Sequence, residues 1–298
     1  MTLNISQIGI IGDGEVGKIF AKALAAQGLT VTAWDIRFAS GIPTADQANA
    51  AADGVRLCAS AASLCAAKEL VISAVTAGNT LAAAQDAAPH LIEGAVYLDL
   101  NSASPGTKQA CAQLIEASGK ASYVEAGVMT SVPPYGIAVP MLLGGAQAQA
   151  LLPILNSWGM AATFASESIG VASATKMCRS VMIKGLEALV IESFSTARHY
   201  GVEAAVIASL QETFPSIDWQ AQGSYFFSRV AQHGKRRSEE MVEAARTVNE
   251  AGIAPTMAAA IASKHAAVAA DSVLGRYATV SKNAPWQDYA DAVKSAKA

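Results

Sequence analysis

Hydrophobic positions follow two different patterns in the two halves of this chain. In the first half, short apolar runs alternate with segments whose apolar residues recur at helical spacing. Short apolar runs bounded by Gly, Pro or polar residues indicate buried strands, and strands that alternate with helices favour a parallel sheet. This predicts a doubly wound, mostly parallel α/β sheet of the Rossmann type. The predicted strands are Ile8–Ile11, Leu29–Trp34, Val55–Cys58, Glu69–Val75, Ala95–Leu100, Ala121–Glu125, Ile137–Gly144 and Met160–Ala165.

The second half shows helical spacing only. A long helix is predicted over Gly170–Tyr200, and Gly and Pro residues punctuate the segments that follow it. The predicted later helices are Glu203–Thr213, Ile217–His233, Arg236–Ala251, Pro255–Ala270 and Trp286–Lys297. We therefore expect a sheet-containing domain over residues 1–167 and an all-helical domain over residues 168–298, joined through the long helix.

Composition narrows the class of protein. The chain has 298 residues, of which 52% are apolar and 15% charged, and a net charge of −3 without a long basic block. This argues against nucleic acid as a partner. No apolar run reaches the roughly 18 residues of a membrane span, and the N-terminus lacks a basic segment before its first strand, so we expect a cytoplasmic protein. The low charge and high alanine content favour a homodimer or higher homo-oligomer.

Cysteine and histidine spacing gives no metal-binding signal. The four cysteines contain no CxxC pair and the four histidines are dispersed. We therefore expect no metal, and no disulfide in a chain without an export signal.

A glycine-rich turn directly follows the first predicted strand. The motif GDGEVG precedes a helical run, and the second strand ends in Asp35, 18 residues after Gly17. This is the full context of a dinucleotide fingerprint, in which glycines permit a tight turn and close approach to a pyrophosphate, and the acid binds ribose hydroxyls. The predicted cofactor-binding residues of this region are Gly12, Asp13, Gly14, Glu15, Val16, Gly17 and Asp35.

The nicotinamide cofactor is predicted to be NAD, with NADP as the alternative. Asp35 repels a 2′-phosphate, whereas Arg37 accommodates one. Further cofactor contacts are expected at the carboxyl ends of the next strands, from Val75, Thr76, Asn101 and Ser102. The alternative is that these residues are ordinary turn and N-cap residues without a role in cofactor binding, since such residue types are common there.

The long helix carries polar residues at every fourth position near its start. Lys176, Ser180 and Lys184 share one face by helical period. This face is either solvated or part of a site, and the period alone does not decide between them. The charge cluster His233–Glu240 has the same two interpretations, a solvated helix start or a basic patch that meets a carboxylate substrate or the cofactor, and the first is favoured.

With these motifs, the chain resembles the β-hydroxyacid dehydrogenase family, the group of 3-hydroxyisobutyrate and 6-phosphogluconate dehydrogenases. GDGEVG is similar to the cofactor fingerprint of that family. Asp99–Pro105, DLNSASP, resembles its Asp-x-Ser-Thr-x-x-Pro motif, and Gly170–Ser180, GVASATKMCRS, resembles its Gly-x-Gly-x-x-x-Lys-x-x-x-Asn motif. The resemblance covers nearly the whole chain. It implies an N-terminal Rossmann domain, a helical C-terminal domain and a catalytic lysine at Lys176.

Three departures indicate a divergent branch with its own substrate. Ala172 replaces the second glycine of the lysine motif, and Ser180 replaces its asparagine. The substrate loop of the family, Asp-Ala-Pro-Val-Ser-Gly-Gly, is represented by EAGVMTSVPPYG, where Met129 and Thr130 stand at the Ser and Gly positions after Val128. The C-terminal Lys-Asp-Leu motif is not recognisable, and RRSEEM occupies its region.

The resemblance implies an NAD(P)-dependent dehydrogenase that acts on the alcohol or carbonyl group of a small hydroxy acid. Lys176 is then the general acid and base, because burial and a neighbouring cation lower the ordinary lysine pKa of about 10.4. Two alternatives are an imine reductase-like enzyme on the same scaffold and a non-catalytic nicotinamide-binding sensor. The predicted substrate-binding residues are Val128, Met129, Thr130, Ser180 and Lys184.

Overall fold

The protein consists of two compact units, described in a computed structural model over residues 5–295. The units divide between Met177 and Cys178. The predicted boundary at residue 167 lies ten residues earlier, because the first turns of the long helix pack on the sheet and belong to the first unit. Within the described residues, every helix is too short or too polar to cross a membrane.

An eight-stranded sheet forms the centre of the first unit. Its strand order is β3-β2-β1-β4-β5-β6-β7-β8, and all neighbouring pairs are parallel except β6 and β7. The strands are β1 (Gln7–Ile11), β2 (Thr30–Trp34), β3 (Val55–Leu57), β4 (Leu70–Ser73), β5 (Val96–Asp99), β6 (Ser122–Val128), β7 (Pro140–Gly144) and β8 (Ala161–Ser166). All eight predicted strands are confirmed, with shifts at their ends. The largest shifts are of three residues: β6 ends three residues later than predicted, and a short 3₁₀ turn over Gly136–Ala138 replaces the predicted start of β7.

The central strands are apolar throughout because both faces of the sheet are covered. Every residue of β4 and β5 is buried. Leu70 and Ile72 contribute to a hydrophobic cluster on one face, while Val71 and Tyr97 contribute to a second cluster on the other face. Two cores on opposite sides of one sheet confirm the doubly wound architecture.

The helices of the first unit are α1 (Glu15–Ala26), α2 (Thr44–Ala52), α3 (Ala61–Cys65), α4 (Thr80–Ala87), α5 (Pro105–Glu116) and α6 (Ala148–Ser157). Pro105 begins α5, a position that favours proline, and the hydroxyl of Ser104 caps the helix by accepting a hydrogen bond from the amide of Thr107. Helix α2 was not predicted. None of its residues is buried, so it has no apolar period to detect.

The second unit is helical in its described residues. Its helices are α7 (Val171–Tyr200, whose first turns belong to the first unit), α8 (Glu203–Thr213), α9 (Trp219–Glu250), α10 (Thr256–Val273) and α11 (Trp286–Ser295). An aromatic core includes Phe194 and Trp286, whose ring centroids are 5.0 Å apart. The predicted end of α11 at Lys297 lies outside the described residues.

Helix α9 spans two predicted helices with a kink between them. His233 departs from helical geometry (φ −130°, ψ 15°) just before Gly234. A Cβ atom at Gly234 would lie 3.0 Å from the carbonyl oxygen of His265 on α10, so glycine permits the close approach of the two helices. The predicted break between the two helices is therefore present, as a kink at His233.

Within the second unit, α7 turns its polar residues inward. Ser180 and Lys184 are 7% and 6% exposed, whereas Met182 and Leu189 are 67% and 56% exposed. The stripe is therefore not a solvated face over these two positions. An amphipathic helix with this orientation needs internal partners for its polar groups.

Candidate active site

The glycine-rich turn between β1 and α1 depends on close backbone contacts. Gly12 has a φ of +99°, and a Cβ atom there would lie 2.5 Å from the carbonyl oxygen of Ala74. A Cβ atom at Gly17 would lie 1.8 Å from the carbonyl oxygen of Gly12. The turn can therefore form only with glycine at both positions.

The same turn fits a dinucleotide. A Cβ atom at Gly14 would meet no described atom within 4 Å, and no described side chain caps the start of α1. Open space beside the first amides of a helix suits a pyrophosphate, because those amides and the helix dipole attract anions. Glu15 is exposed in this first turn, and Val16 packs against the sheet core.

Asp35 at the end of β2 is bonded to the turn. Its Oδ2 accepts a hydrogen bond from the backbone N–H of Asp13 at 2.9 Å, and its Oδ1 accepts one from Nε of Arg37 at 2.8 Å. Burial alone would raise the pKa of Asp35, but the hydrogen bonds from Arg37 and Asp13 outweigh it and lower that pKa. Burial raises the pKa of Asp13, and Lys18 and Arg37 oppose this only in part. Two carboxylates and one arginine therefore meet where ribose hydroxyls are expected.

The carboxyl ends of β4 and β5 are joined by Asn101. Its Oδ1 accepts the backbone N–H of Val75 at 2.7 Å, and its Nδ2 donates to Oγ of Ser73 at 2.9 Å. Thr76 accepts a hydrogen bond from Asn79 at 2.8 Å and so shapes the next turn. The structure thus brings Val75, Thr76 and Asn101 to the sheet edge that also carries Gly12.

A buried ion pair stabilises the loop that follows β5 and contains Asn101. Lys108 and Asp99 are fully buried, with Nζ and Oδ1 2.9 Å apart. Asp99 also accepts the N–H of Asn101 at 2.8 Å and the hydroxyl of Tyr123 at 2.6 Å. Burial and the Asp99 charge raise the pKa of Tyr123 well above its usual value, so it remains a donor. This network could not be predicted from the sequence, because nothing in the local pattern distinguishes a buried lysine from a surface one.

Lys176 meets Ser102 at the same edge. Its Nζ donates to Oγ of Ser102 at 2.5 Å. A Cβ atom at Gly127 would lie 3.5 Å from Cβ of Lys176 and 2.8 Å from the carbonyl oxygen of Ala172. Glycine at the end of β6 therefore lets the first turn of α7 lie directly on the strand, and the residues predicted for cofactor and catalysis converge within one unit.

The predicted substrate loop begins beside this contact. Val128 is buried at the end of β6, Met129 is partly buried and donates its N–H to the carbonyl oxygen of Pro140 at 2.9 Å, and Thr130 is exposed. The loop then returns to the sheet through β7.

Ser180 and Lys184 lie in the second unit with partners of their own. Nζ of Lys184 is 2.8 Å from Oε2 of Glu240 and 3.4 Å from Oγ of Ser180. Arg237, 7% exposed, forms a bidentate pair with Glu187. The interpretation of His233–Glu240 as mainly a solvated helix start is therefore wrong for Arg237 and Glu240, whose partners lie on α7.

His265 on α10 is buried beside these charges. Its Nε2 is 3.8 Å from Oε2 of Glu187, a carboxylate engaged by Arg237. Burial lowers the pKa of His265 to about 4, and the charges of Arg237 and Lys184 contribute, against an opposing effect of Glu240. The folded protein therefore holds this imidazole neutral.

We expect the stability of the protein to fall as the pH is lowered through this range. The histidine pKa is about 6.5 when unfolded and lower when folded, so protonation favours the unfolded chain. Between pH 6.5 and 4 the free energy of unfolding should fall by about 3 kcal/mol. Denaturant titrations of the parent and of His265→Gln measure it. In His265→Gln the free energy of unfolding should depend much less on pH than in the parent. His199→Gln, a change at an exposed histidine of α7, should keep the pH dependence of the parent. Equal pH dependence in all three proteins would refute the role given to His265.

Comparisons with known proteins bear on both units. The profile of the NAD binding domain of 6-phosphogluconate dehydrogenase matches residues 7–167, and a domain of unknown function, DUF1932, matches residues 197–268. A conserved hypothetical protein from Sinorhizobium meliloti 1021 is 38% identical, over 98% of this chain and 96% of that one, with a TM-score of 0.76.

Two further solved structures are similar. The conserved protein MTH1747 of unknown function, described as structurally similar to 3-hydroxyacid dehydrogenases, is 31% identical over 90% of this chain and 98% of its own, with a TM-score of 0.69. The 3-hydroxyisobutyrate dehydrogenase of Mycobacterium tuberculosis is 17% identical over 99% of this chain and 100% of its own, with a TM-score of 0.72. At that identity the last likeness shows a shared fold.

Proposed function

The chain belongs to the β-hydroxyacid dehydrogenase family and is an NAD(P)-dependent oxidoreductase, and from this premise we propose its reaction. When bound, the nicotinamide exchanges a hydride with the alcohol or carbonyl carbon of a small hydroxy acid or a related compound. Lys176 is the proposed general acid and base. Val128, Met129 and Thr130 are the proposed substrate-side residues.

The contact between Lys176 and Ser102 carries this proposal. It holds an ammonium group at the carboxyl edge of the sheet, 2.5 Å from the loop that follows β5. That loop is bonded through Asn101 to Val75, which borders Gly12 of the glycine-rich turn. Ligands of doubly wound sheets bind at this edge. A proton donor beside the expected nicotinamide pocket is what carbonyl reduction requires.

The chemistry of lysine suits both directions of such a reaction. In reduction, the ammonium of Lys176 gives a proton to the oxygen that gains negative charge. In oxidation, the neutral amine takes the hydroxyl proton. The hydroxyl of Ser102 accepts a hydrogen bond from Nζ and so fixes where that proton is delivered. Lys184 is paired with Glu240, which supports a role in holding α9 to α7 more than a role in binding an anion.

The charges near Asp35 support NAD as the preferred cofactor. A 2′-phosphate would approach the carboxylates of Asp35 and Asp13, while Arg37 is already held by Asp35 through Nε at 2.8 Å. The guanidinium of Arg37 therefore points toward Asp35, which it neutralises, and not toward the space that a 2′-phosphate would occupy. Ribose hydroxyls, in contrast, can donate to these oxygens.

We expect the parent protein to bind NADH more tightly than NADPH in a fluorescence titration. Asp35→Ser should reduce or invert this preference by about tenfold or more, because it removes one negative charge and releases Arg37. Asp53→Ser is the control, since Asp53 is a carboxylate of the same domain paired with the exposed Lys22. Tighter binding of NADPH by the parent would contradict the proposed preference.

An assay of the parent protein on two substrate classes tests the reaction. We expect oxidation of small hydroxy acids, or reduction of their keto acids and semialdehydes, with no reduction of cyclic imines. Turnover of imines alone would favour the imine reductase-like alternative. Cofactor binding without turnover on either panel would favour a nicotinamide-binding sensor.

A further inference from the structure

We propose that Glu125, a residue of β6, is a positioning residue for Lys176. This inference rests on the proposed function of that lysine, but its geometry is independent of any substrate. Glu125 has no exposed surface, and it lies on the strand against which α7 begins. It is therefore too deep to contact a ligand from solvent, and it can act only through what it holds.

Glu125 holds the start of the helix that carries Lys176. Its Oε1 accepts the backbone N–H of Gly170 at 2.7 Å and that of Ala172 at 3.0 Å. Amides at a helix start have no acceptor within the helix. A carboxylate meets this need especially well, because its bonds are charge-assisted and it faces the positive end of the helix dipole. One oxygen atom thus fixes both the residue before the helix, Gly170, and a residue of its first turn, Ala172.

The two strands beside α7 leave room for this arrangement only through glycines. Gly144 is the β7 partner of Glu125, and a Cβ atom there would lie 2.6 Å from Oε1. A Cβ atom at Gly127 would lie 2.8 Å from the carbonyl oxygen of Ala172. Any side chain at either position would displace the carboxylate or the turn.

The position of this turn sets the position of the lysine. Ala172 and Lys176 are one helical turn apart and so lie on one side of α7. The carboxylate holds the helix backbone below the lysine, while Ser102 accepts from Nζ at the other end of the side chain. A shift of about 1 Å at a reacting group can cost about 100-fold in rate. Anchoring at both ends limits such a shift.

Among the described residues, the side-chain hydrogen bonds of Glu125 go to the start of α7. Its second oxygen, Oε2, is buried and has no hydrogen-bond partner among the described residues. A buried carboxylate with one unsatisfied oxygen is a poor arrangement for stability alone. The cost is understandable if the group is kept for the placement of the helix start.

The test compares Glu125→Ala with Glu125→Gln and with Glu69→Ala. Glu69 is the matched control, since its Oε2 also accepts hydrogen bonds from two backbone amides, those of Ser6 at 2.6 Å and Gln7 at 2.9 Å. Two quantities are measured: turnover of the substrate found for the parent, and the pH dependence of the acylation rate of Lys176 by acetic anhydride, followed by mass spectrometry.

We expect Glu125→Ala to reduce turnover by about 10- to 100-fold with unchanged NADH affinity. Lys176 should also be acylated several-fold faster, with a shifted pH profile, because its contact with Ser102 is loosened. In Glu125→Gln, turnover and the acylation profile of Lys176 should both be close to those of the parent, since the amide oxygen of glutamine can accept the same two hydrogen bonds. Acylation of the exposed Lys120 serves as an internal reference in each sample.

A Glu125→Ala protein with the turnover and Lys176 acylation profile of Glu69→Ala would overturn the proposal. If Glu125→Ala does not fold, Glu125→Asp, which withdraws the oxygen by about 1.5 Å, is compared with the parent by the same two criteria. A shifted acylation profile in a protein without turnover on any panel would support the positioning role and contradict the dehydrogenase function. The two hypotheses therefore fail separately.

Discussion

Lys176→Met should lower kcat/KM by about 100- to 10,000-fold, the range that general acid–base catalysis supplies. Methionine keeps the length and packing of the side chain but has no ammonium to meet Ser102, which Nζ reaches at 2.5 Å. NADH affinity should stay within about twofold of the parent, because the proposed cofactor contacts lie on the glycine-rich turn and the strand ends. Steady-state kinetics and a fluorescence titration measure the two effects.

Lys120→Met is the control for this variant, because Lys120 is an exposed lysine of the same unit. It should match the parent in both measurements. If Lys176→Met retains turnover close to that of the parent, another group transfers the proton, and the assignment of Lys176 fails. If both affinity and turnover collapse together, the change has disturbed the fold rather than the chemistry, and thermal unfolding will show it.

Lys108→Met should be among the most destabilising single changes in the first unit. It leaves the carboxylate of Asp99 without its counterion at a site where both side chains are fully buried. Removing one partner of a buried ion pair costs about 3–5 kcal/mol, because the remaining charge is neither solvated nor neutralised. A denaturant titration at neutral pH should show this loss in the free energy of unfolding.

Lys22→Met is the matched control for Lys108→Met. Lys22 also forms a close ion pair, with Nζ 2.7 Å from Asp53, but its side chain is 67% exposed. An exposed pair of this kind contributes about 0–1 kcal/mol. Similar losses in the two variants would mean that burial of Asp99 and Lys108 is not what makes their pair important.

Much of the architecture was predictable because its signals are local. The strands are short apolar runs, the glycine-rich turn has a fixed spacing, and Pro105 begins a helix where proline is favoured. The start of the long helix was predicted within one residue for the same reason. The cofactor and substrate roles of individual residues remain predictions, as do the homodimer and the cytoplasmic location.

The missed features depend on residues that are distant in sequence. Glu125 bonds amides 45 and 47 positions later, and Arg237 pairs with Glu187 across 50 positions. Local periodicity cannot reveal such partners, so it left open whether Ser180 and Lys184 face solvent, and it favoured solvent for the cluster that contains Arg237. Their burial follows from counterions and acceptors that only the folded chain supplies.

The antiparallel strand β7 places a variable loop beside residues that are fixed on buried strands. Because β7 runs against β6, the intervening loop of residues 129–139 leaves and re-enters the sheet at the edge where Lys176 meets Ser102. Val132 and Val139 of this loop are buried in the sheet core, but its exposed residues, Thr130 and Pro133 to Tyr135, can be exchanged while both strands keep their register, since exposed loop positions tolerate such change. The lysine and the glycine-rich turn, in contrast, are tied to buried strands. This topology therefore allows the exposed part of the loop to diverge while the glycine-rich turn and the position of Lys176 are kept, which is the combination that the sequence of this chain shows.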